Sequence, residues 1–145
     1  MTYAADTTVS VVRSRTEIEE LLRKHGATAI ASGWEDGQSV IQCNIHGRTV
    51  RFVVTMPLRN DYLRDGRGRT RSLVAVTAAV EQAERARWRA TLLVIKAKLE
   101  AVELGIETFE EAFLANVVLP SGETVGHWMH DELERVYELG VMPQS

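Results

Sequence analysis

Arginines are concentrated in and around one irregular segment in the middle of the chain, where they favour contacts with phosphates. Residues 57–70 contain two glycines and no apolar periodicity. A guanidinium donates in a planar fork that suits phosphate oxygens, and such contacts need cations within reach rather than a fixed motif. Either Trp88 or Trp34, the latter at the mouth of a predicted hairpin, could stack on unpaired bases. The predicted nucleic-acid-binding residues are Arg51, Arg59, Arg64, Arg67, Arg69, Arg71, Arg85 and Arg89.

The same arginines have an alternative explanation, in which acidic side chains of the chain itself neutralise them. Glu81 precedes Arg85 by four residues and Glu84 precedes Arg87 by three. Both spacings allow ion pairs along one face of a helix. The arginines are then ordinary solvated or paired side chains.

Charge is divided sharply along the chain, although the formal net charge is only -3. Residues 48–98 carry twelve basic and four acidic side chains, and residues 99–145 carry one basic and ten acidic ones. The acidic end predicts an alternative function: a protein-binding inhibitor or adaptor that acts through its acidic C-terminal helices. The sequence leaves open whether the basic middle and the acidic end neutralise each other.

A set of metal-ligating residue types occurs near the C-terminus. His127, His130, Asp131 and Glu134 fall on one face of a predicted helix, where they could bind zinc or another divalent ion. The spacing matches no established motif, and the polar outer face of an amphipathic helix contains the same residue types. We therefore predict no metal site and no cofactor.

Cys43 is the only cysteine, so the chain has no internal disulfide and no multi-cysteine zinc site. It could act as a nucleophile with His25 or His46 as its base. Cys43 alternates with Ile41 and Ile45, however, which predicts a small buried side chain. We predict no catalytic residue and a non-enzymatic protein.

The elements that must position these side chains follow the order β-α-β-β-β and then three helices. Capping-box patterns at Ser14 or Thr16 predict the start of the first helix, and Gly26 predicts its end. Asp36-Gly37 and His46-Gly47 predict tight turns between strands. The predicted strands cover residues 7–12, 27–34, 39–45 and 48–56.

The second half of the chain is predicted to be helical. A long helix is expected over residues 72–104, with an apolar stripe from Leu73 through Trp88 to Val102. Thr108 and Thr124 are predicted to cap two shorter helices. In the last helix Val125, Trp128, Met129, Leu133, Val136 and Tyr137 are expected to face the core. Residues 1–145 thus predict a single α+β domain, a small antiparallel sheet covered by the long helix and two shorter C-terminal helices.

Four segments between residues 85 and 137 have a distinctive sequence: 87–89 (RWR), 94–103 (VIKAKLEAVE), 105–111 (GIETFEE) and 119–128 (LPSGETVGHW). On these segments residues 85–137 resemble a family of small uncharacterised proteins encoded in bacteriophage and prophage genomes. Residues 9–15 and the helix after them are also similar to the family. The resemblance implies a viral or mobile-element origin and a role inside an infected bacterium, and it carries over no catalytic residue.

The apolar runs of the chain are short, and its N-terminal residues carry no basic region followed by an apolar stretch. We therefore expect no signal peptide, no membrane contact and a location in the bacterial host cytoplasm. The expected partner is nucleic acid or a host protein, and the resemblance to phage proteins implies that such a host protein is a defence protein bound through the acidic C-terminal helices. The apolar stripe of the long helix can be buried within a monomer or shared across a homodimer, and the sequence leaves both open.

Overall fold

The computed structural model describes residues 4–140 and 142. Within them the chain forms four α-helices, two 3-10 turns and a three-stranded antiparallel sheet, so the predicted α+β class is confirmed. None of the described helices has the length and apolar content that a membrane span requires. The elements are α1 Val11–Lys24, β1 Thr28–Glu35, β2 Gln38–Ile45, β3 Arg48–Val54, a 3-10 turn at Arg59–Tyr62, α2 Leu73–Glu103, α3 Phe109–Phe113, a 3-10 turn at Leu114–Asn116 and α4 Val125–Leu139.

Helix caps set the bounds of the long helix where the sequence predicts them. The Ser72 hydroxyl accepts a hydrogen bond from Ala75 N at 3.2 Å, which satisfies one free amide at the start of α2. At the other end the chain leaves the helix through Gly105, whose φ of +74° suits glycine. α3 and α4 begin at the predicted caps Thr108 and Thr124.

Two tight turns connect the sheet in the order β1-β2-β3. Asp36 and Gly37 have φ of +50° and +76°, and His46 and Gly47 have +50° and +73°. Positive φ at both central residues matches the right-handed twist of the paired strands, so both predicted hairpins are confirmed.

The predicted first strand is wrong. Residues 7–10 have no regular structure, and Val11 and Val12 belong to α1. The Ser10 hydroxyl accepts a hydrogen bond from Arg13 N at 3.1 Å and so caps α1. The helix therefore starts before Ser14 and Thr16, the predicted caps. Alternation over six residues predicted a strand, but the serine cap and the amphipathic helix that follows satisfy more backbone groups.

The core lies between one face of the sheet and helices α1, α2 and α3. Trp88 is only 3% exposed, which excludes the base stacking predicted for it, whereas Trp34 is 66% exposed. Leu73, the predicted start of the buried stripe, is 77% exposed because α2 begins beyond the packed layer. The inward side chains are Ile18, Leu22, Ile41, Cys43, Ile45, Val50, Phe52, Val54, Trp88, Leu92, Ile95, Leu99, Phe109 and Phe113.

The last helix lies outside this core, contrary to prediction. None of its residues is buried, and its main contact is with the 3-10 turn at Leu114–Asn116. A β-carbon at Gly126 would lie 3.0 Å from the carbonyl oxygen of Ala115, so the base of α4 sits directly against that turn. Helical periodicity predicted the amphipathic character of α4, but periodicity does not determine whether the apolar side packs against the rest of the same chain.

Candidate nucleic-acid interface

The arginine loop, residues 57–71, is a short hairpin placed against the start of α2. Its first part is the 3-10 turn, in which the Arg59 guanidinium donates to Thr77 Oγ1 of α2 at 3.3 Å. Its second part is closed by an antiparallel bridge between Arg64 and Thr70. Gly68 has a φ of +78°, which a side chain would strain, and so allows the chain to reverse.

Asp65 organises the tip of this hairpin. One carboxylate oxygen accepts the backbone amides of Arg67 at 2.8 Å and Arg69 at 3.0 Å, and the other accepts Arg69 Nε at 3.1 Å. The hydrogen bond from the Arg69 amide, with that from Arg67, holds the pKa of the Asp65 carboxyl below its ordinary value. The role of Asp65 was not predicted from the sequence. An aspartate whose carboxylate accepts the backbone amide two residues later is a known turn signal, and the Asp-Gly-Arg-Gly stretch that begins at Asp65 fits it.

We expect Asp65→Ala to disorder the loop without unfolding the domain. The amides of Arg67 and Arg69 lose their acceptors, so their hydrogen exchange and trypsin cleavage after Arg67 and Arg69 should become faster. Asp61→Ala is the matched control, because Asp61 lies in the same loop and is exposed. Equal loop protection in the two variants would contradict the role of Asp65.

The same hydrogen bonds give the loop a dependence on pH. Because the folded-state pKa of Asp65 is lowered, its stabilising contribution is complete above the ordinary aspartate pKa of about 4 and is lost as the pH falls through the lowered pKa. The amide shifts of Arg67 and Arg69 in an NMR titration should therefore move together in acid.

Three of the predicted arginines lie together on the exposed part of the hairpin. Arg64 uses Nη1 to donate to the Gly68 carbonyl at 3.0 Å, and Arg69 uses Nε for Asp65. Arg67 makes no side-chain hydrogen bond or ion pair with any residue in the described part of the chain. Since a guanidinium has five N–H donors, all three keep donors that can reach a phosphate.

Arg71 lies at the base of the hairpin and has a structural role. Its Nη1 donates to the carbonyls of Tyr62 at 3.0 Å and Arg64 at 2.9 Å, and its side chain is partly buried. These bonds tie the 3-10 turn to the hairpin. Arg71 positions the loop, and we do not count it among the side chains that face solvent.

The other predicted arginines bind elsewhere on the protein, so the eight do not form one surface. Arg51 donates to the Gly122 carbonyl at 2.9 Å beside the start of α4. Arg85 donates to the side chain of Gln82, which in turn donates to backbone carbonyls of the N-terminal segment. Arg89 Nη1 lies 2.7 Å from Glu17 Oε2. The partners of Arg51 and Arg89 lie more than seventy positions away, which helical spacing could not predict, whereas Gln82 lies three residues before Arg85 in the same helix.

Glu17 joins α1 to α2. Arg89, and with it Arg13, lowers the pKa of the Glu17 carboxyl. The Glu81–Arg85 and Glu84–Arg87 pairs expected from helical spacing do not occur among the described ion pairs. Arg87 instead donates to the Thr55 carbonyl at 2.7 Å.

The basic middle and the acidic end remain largely separate. Among ion pairs of described residues, one joins them: Arg48 Nη2 and Glu110 Oε1 at 2.8 Å. No arginine of the loop pairs with a carboxylate from residues 99–140, within the part of the chain that is described. The arginine loop therefore keeps its positive charge, which the sequence alone left undecided.

Arg51 lines a cavity of about 310 Å³ on the outer face of the sheet. The cavity lies between the β1–β2 turn and the start of α4, and His127 and Glu123 also line it. Glu35 and Asp36 close the other side. Because carboxylates outnumber cations there, this cavity does not extend the anion-binding surface of the loop.

Three of the four candidate metal ligands come together. The ligand atoms of His130, Asp131 and Glu134 lie within 4.8 Å of one another, and all three residues are exposed. The fourth, His127, lies next to Glu123 instead, at 3.7 Å. Exposed acids and histidines at helical spacing are ordinary on a solvated face, and we assign no metal to this cluster.

Cys43 faces the core, as the alternation of its strand predicts. Burial raises the pKa of the Cys43 thiol to about 11, which disfavours the thiolate needed for nucleophilic attack at neutral pH. The candidate bases have other contacts: the His25 ring lies 3.0 Å from the Leu21 carbonyl, and the His46 ring stacks on Phe109.

A scan against protein-family models and searches of curated proteins and of solved structures gave no match to this chain.

Proposed function

We propose that this protein is a non-enzymatic phage or prophage accessory protein that binds nucleic acid through the arginine loop. The observation that carries the proposal is the exposure of Arg64, Arg67 and Arg69 on one ordered hairpin that the acidic end does not neutralise. Arg59, exposed on the adjoining 3-10 turn, extends the cationic surface toward α2.

The geometry favours backbone contacts over base-specific ones. An ordered hairpin whose guanidinium groups keep unused N–H donors suits phosphates, which position a protein on nucleic acid but carry no sequence information. Trp34 is exposed but lies on the β1–β2 hairpin rather than on the arginine loop. Weak, salt-sensitive binding with little sequence preference is the expected behaviour.

The direct test is fluorescence anisotropy with labelled single-stranded and double-stranded DNA and RNA of mixed sequence. With three to four phosphate contacts, log Kobs should fall against log salt with a slope of about -3 on duplex DNA. Binding that vanishes by about 200 mM salt agrees with the proposal. No binding to any of these probes at low salt, by a folded protein, would refute it.

A second candidate function is protein binding through α4, and one specific observation favours it. Trp128 is 54%, Leu133 50% and Tyr137 86% exposed on a helix that also carries four acidic side chains and one arginine. Large exposed apolar side chains on one helix are typical of protein interfaces. In this case α4 would act as an adaptor, or as an inhibitor of a host defence protein.

A further inference from the structure

A groove at the base of the arginine loop is lined by two arginines and by no carboxylate of the described residues. Its volume is about 450 Å³, and it lies between the loop, the first half of α2 and Ala5. Arg71 and Arg87 line it together with Tyr62. Small-molecule sites have volumes of roughly 300–1,000 Å³. Four carboxylates adjoin lining residues in the sequence without lining the groove themselves: Asp6, Asp61, Glu81 and Glu84.

Hydrogen bonds hold both walls of this groove in place. On one side Gln82 Nε2 donates to the carbonyls of Ala5 at 3.1 Å and Thr7 at 2.8 Å, and Arg85 Nε donates to Gln82 Oε1 at 3.1 Å. On the other side Arg71 fixes Tyr62 through its carbonyl. A groove that is formed before its ligand arrives loses little conformational entropy on binding.

The two arginines keep donors for an anionic ligand. Their hydrogen bonds within the described residues all use Nη1, from Arg71 to the carbonyls of Tyr62 and Arg64 and from Arg87 to that of Thr55. The Nε and Nη2 donors of each guanidinium remain available, and paired N–H donors suit phosphate oxygens.

The rest of the groove is apolar. Ala79, Ala83 and Ala86 lie on one face of α2 and line it beside Tyr62. Gln82 uses both amide hydrogens and its oxygen within the protein, so it does not read the edge of a base. A ligand that matches both parts has a phosphate next to a flat, largely apolar group, which describes a nucleotide.

We propose that this groove takes one unpaired nucleotide, so that the ligand of the arginine loop is single-stranded nucleic acid. The base lies against Tyr62 and the alanines, and its phosphate contacts Arg71 and Arg87. Neighbouring phosphates continue onto the hairpin, because Arg71 joins the groove to Arg64. A duplex keeps its bases stacked and paired, so its bases do not enter. The inference rests on the proposed function and adds the class of nucleic acid.

Fluorescence anisotropy on the full chain at low salt tests the preference. The probes are a labelled single strand of DNA, the duplex of the same sequence, and an abasic strand with the same number of phosphates. Phosphate contacts alone favour the duplex, whose charge density is higher. The wild-type protein should instead bind the single strand about 10-fold or more tighter than either other probe, since a base on an aromatic side chain contributes about that much.

Filling the groove should remove this preference. Ala79→Leu with Ala83→Leu should lower the affinity for the single strand to about that for the abasic strand, without changing the affinity for the duplex. Ala90→Leu with Ala97→Leu is the matched control, because both alanines are exposed on the same helix outside the groove. Circular dichroism checks that each variant is folded.

A second variant keeps the test decisive if the filled groove prevents folding. Tyr62→Leu retains apolar volume and removes the flat ring, so it should lower the affinity for the single strand and leave the duplex and the abasic strand unchanged. This pattern separates a contact with the base from a structural effect, which would weaken binding of all three probes.

The inference and the proposed function fail separately. Equal wild-type affinity for the single strand and the duplex, an abasic strand that binds as tightly as the normal one, or a preference that persists in the folded groove variants would overturn the groove. These results leave binding of phosphates by the arginine loop in place. No binding to any of the three probes would overturn both.

Discussion

Replacing Arg64, Arg67 and Arg69 together by alanine should lower the affinity for nucleic acid roughly 100-fold or more at low salt and reduce the salt slope by about 3. The three guanidinium groups lie on one hairpin, and each keeps donors that face solvent. The loss should be similar for every sequence of the probe, because phosphate contacts do not read bases. Anisotropy titrations at several salt concentrations measure both quantities.

A second triple variant separates a local contact from a general effect of charge. Arg23, Lys24 and Lys96 are exposed at the end of α1 and in the C-terminal half of α2, and their replacement by alanine removes the same charge. This protein should keep nearly the wild-type slope. If both triple variants lose affinity equally, binding is a property of net charge and the arginine loop is not the site.

Phe113→Ala should destabilise the domain by about 3–5 kcal/mol, a large share of the stability of a domain this size. The Phe113 ring is 1% exposed. It stacks on Phe109 with centroids 4.8 Å apart and meets Phe52 of β3 edge-on at 5.9 Å. Its removal leaves a cavity between the sheet and α3. Urea unfolding followed by circular dichroism gives the change in unfolding free energy.

The neighbouring residue provides the control. Leu114 is 53% exposed, so Leu114→Ala should change the unfolding free energy by about 0.5 kcal/mol or less. Similar losses at both positions would show that the aromatic cluster is not what fastens the C-terminal third of the chain to the sheet.

Helix caps and turn residues predicted much of the fold, because each acts on backbone groups of residues that are close in the sequence. Ser72 and Gly105 bound the long helix, and Asp36-Gly37 shaped the first hairpin, each through a requirement of one or two backbone groups. The predicted strand at residues 7–12 failed where two local signals competed. Its valines alternate as in a strand, yet Ser10 caps a helix that continues for fourteen residues.

The candidate site was predicted only in part, for a reason of tertiary structure. Composition identified the arginine loop, but it could not show that Arg89 is paired with Glu17 or that Arg51 is bonded to the turn before α4. Those contacts join residues more than seventy positions apart. The expectation that Leu133 and Tyr137 face inward failed similarly, because a helical period defines a face and not what covers it.

The close contact between Gly126 and Ala115 fixes the angle at which α4 leaves the rest of the protein. Fifteen residues at about 1.5 Å each give the helix a length of about 22 Å. A methyl group at position 126 would lie 3.0 Å from the Ala115 oxygen and would force the base of the helix aside. A tilt of about 10° at this contact would displace the C-terminal end of α4 by roughly 4 Å. That displacement would move Tyr137 out of register with a surface that α4 contacts.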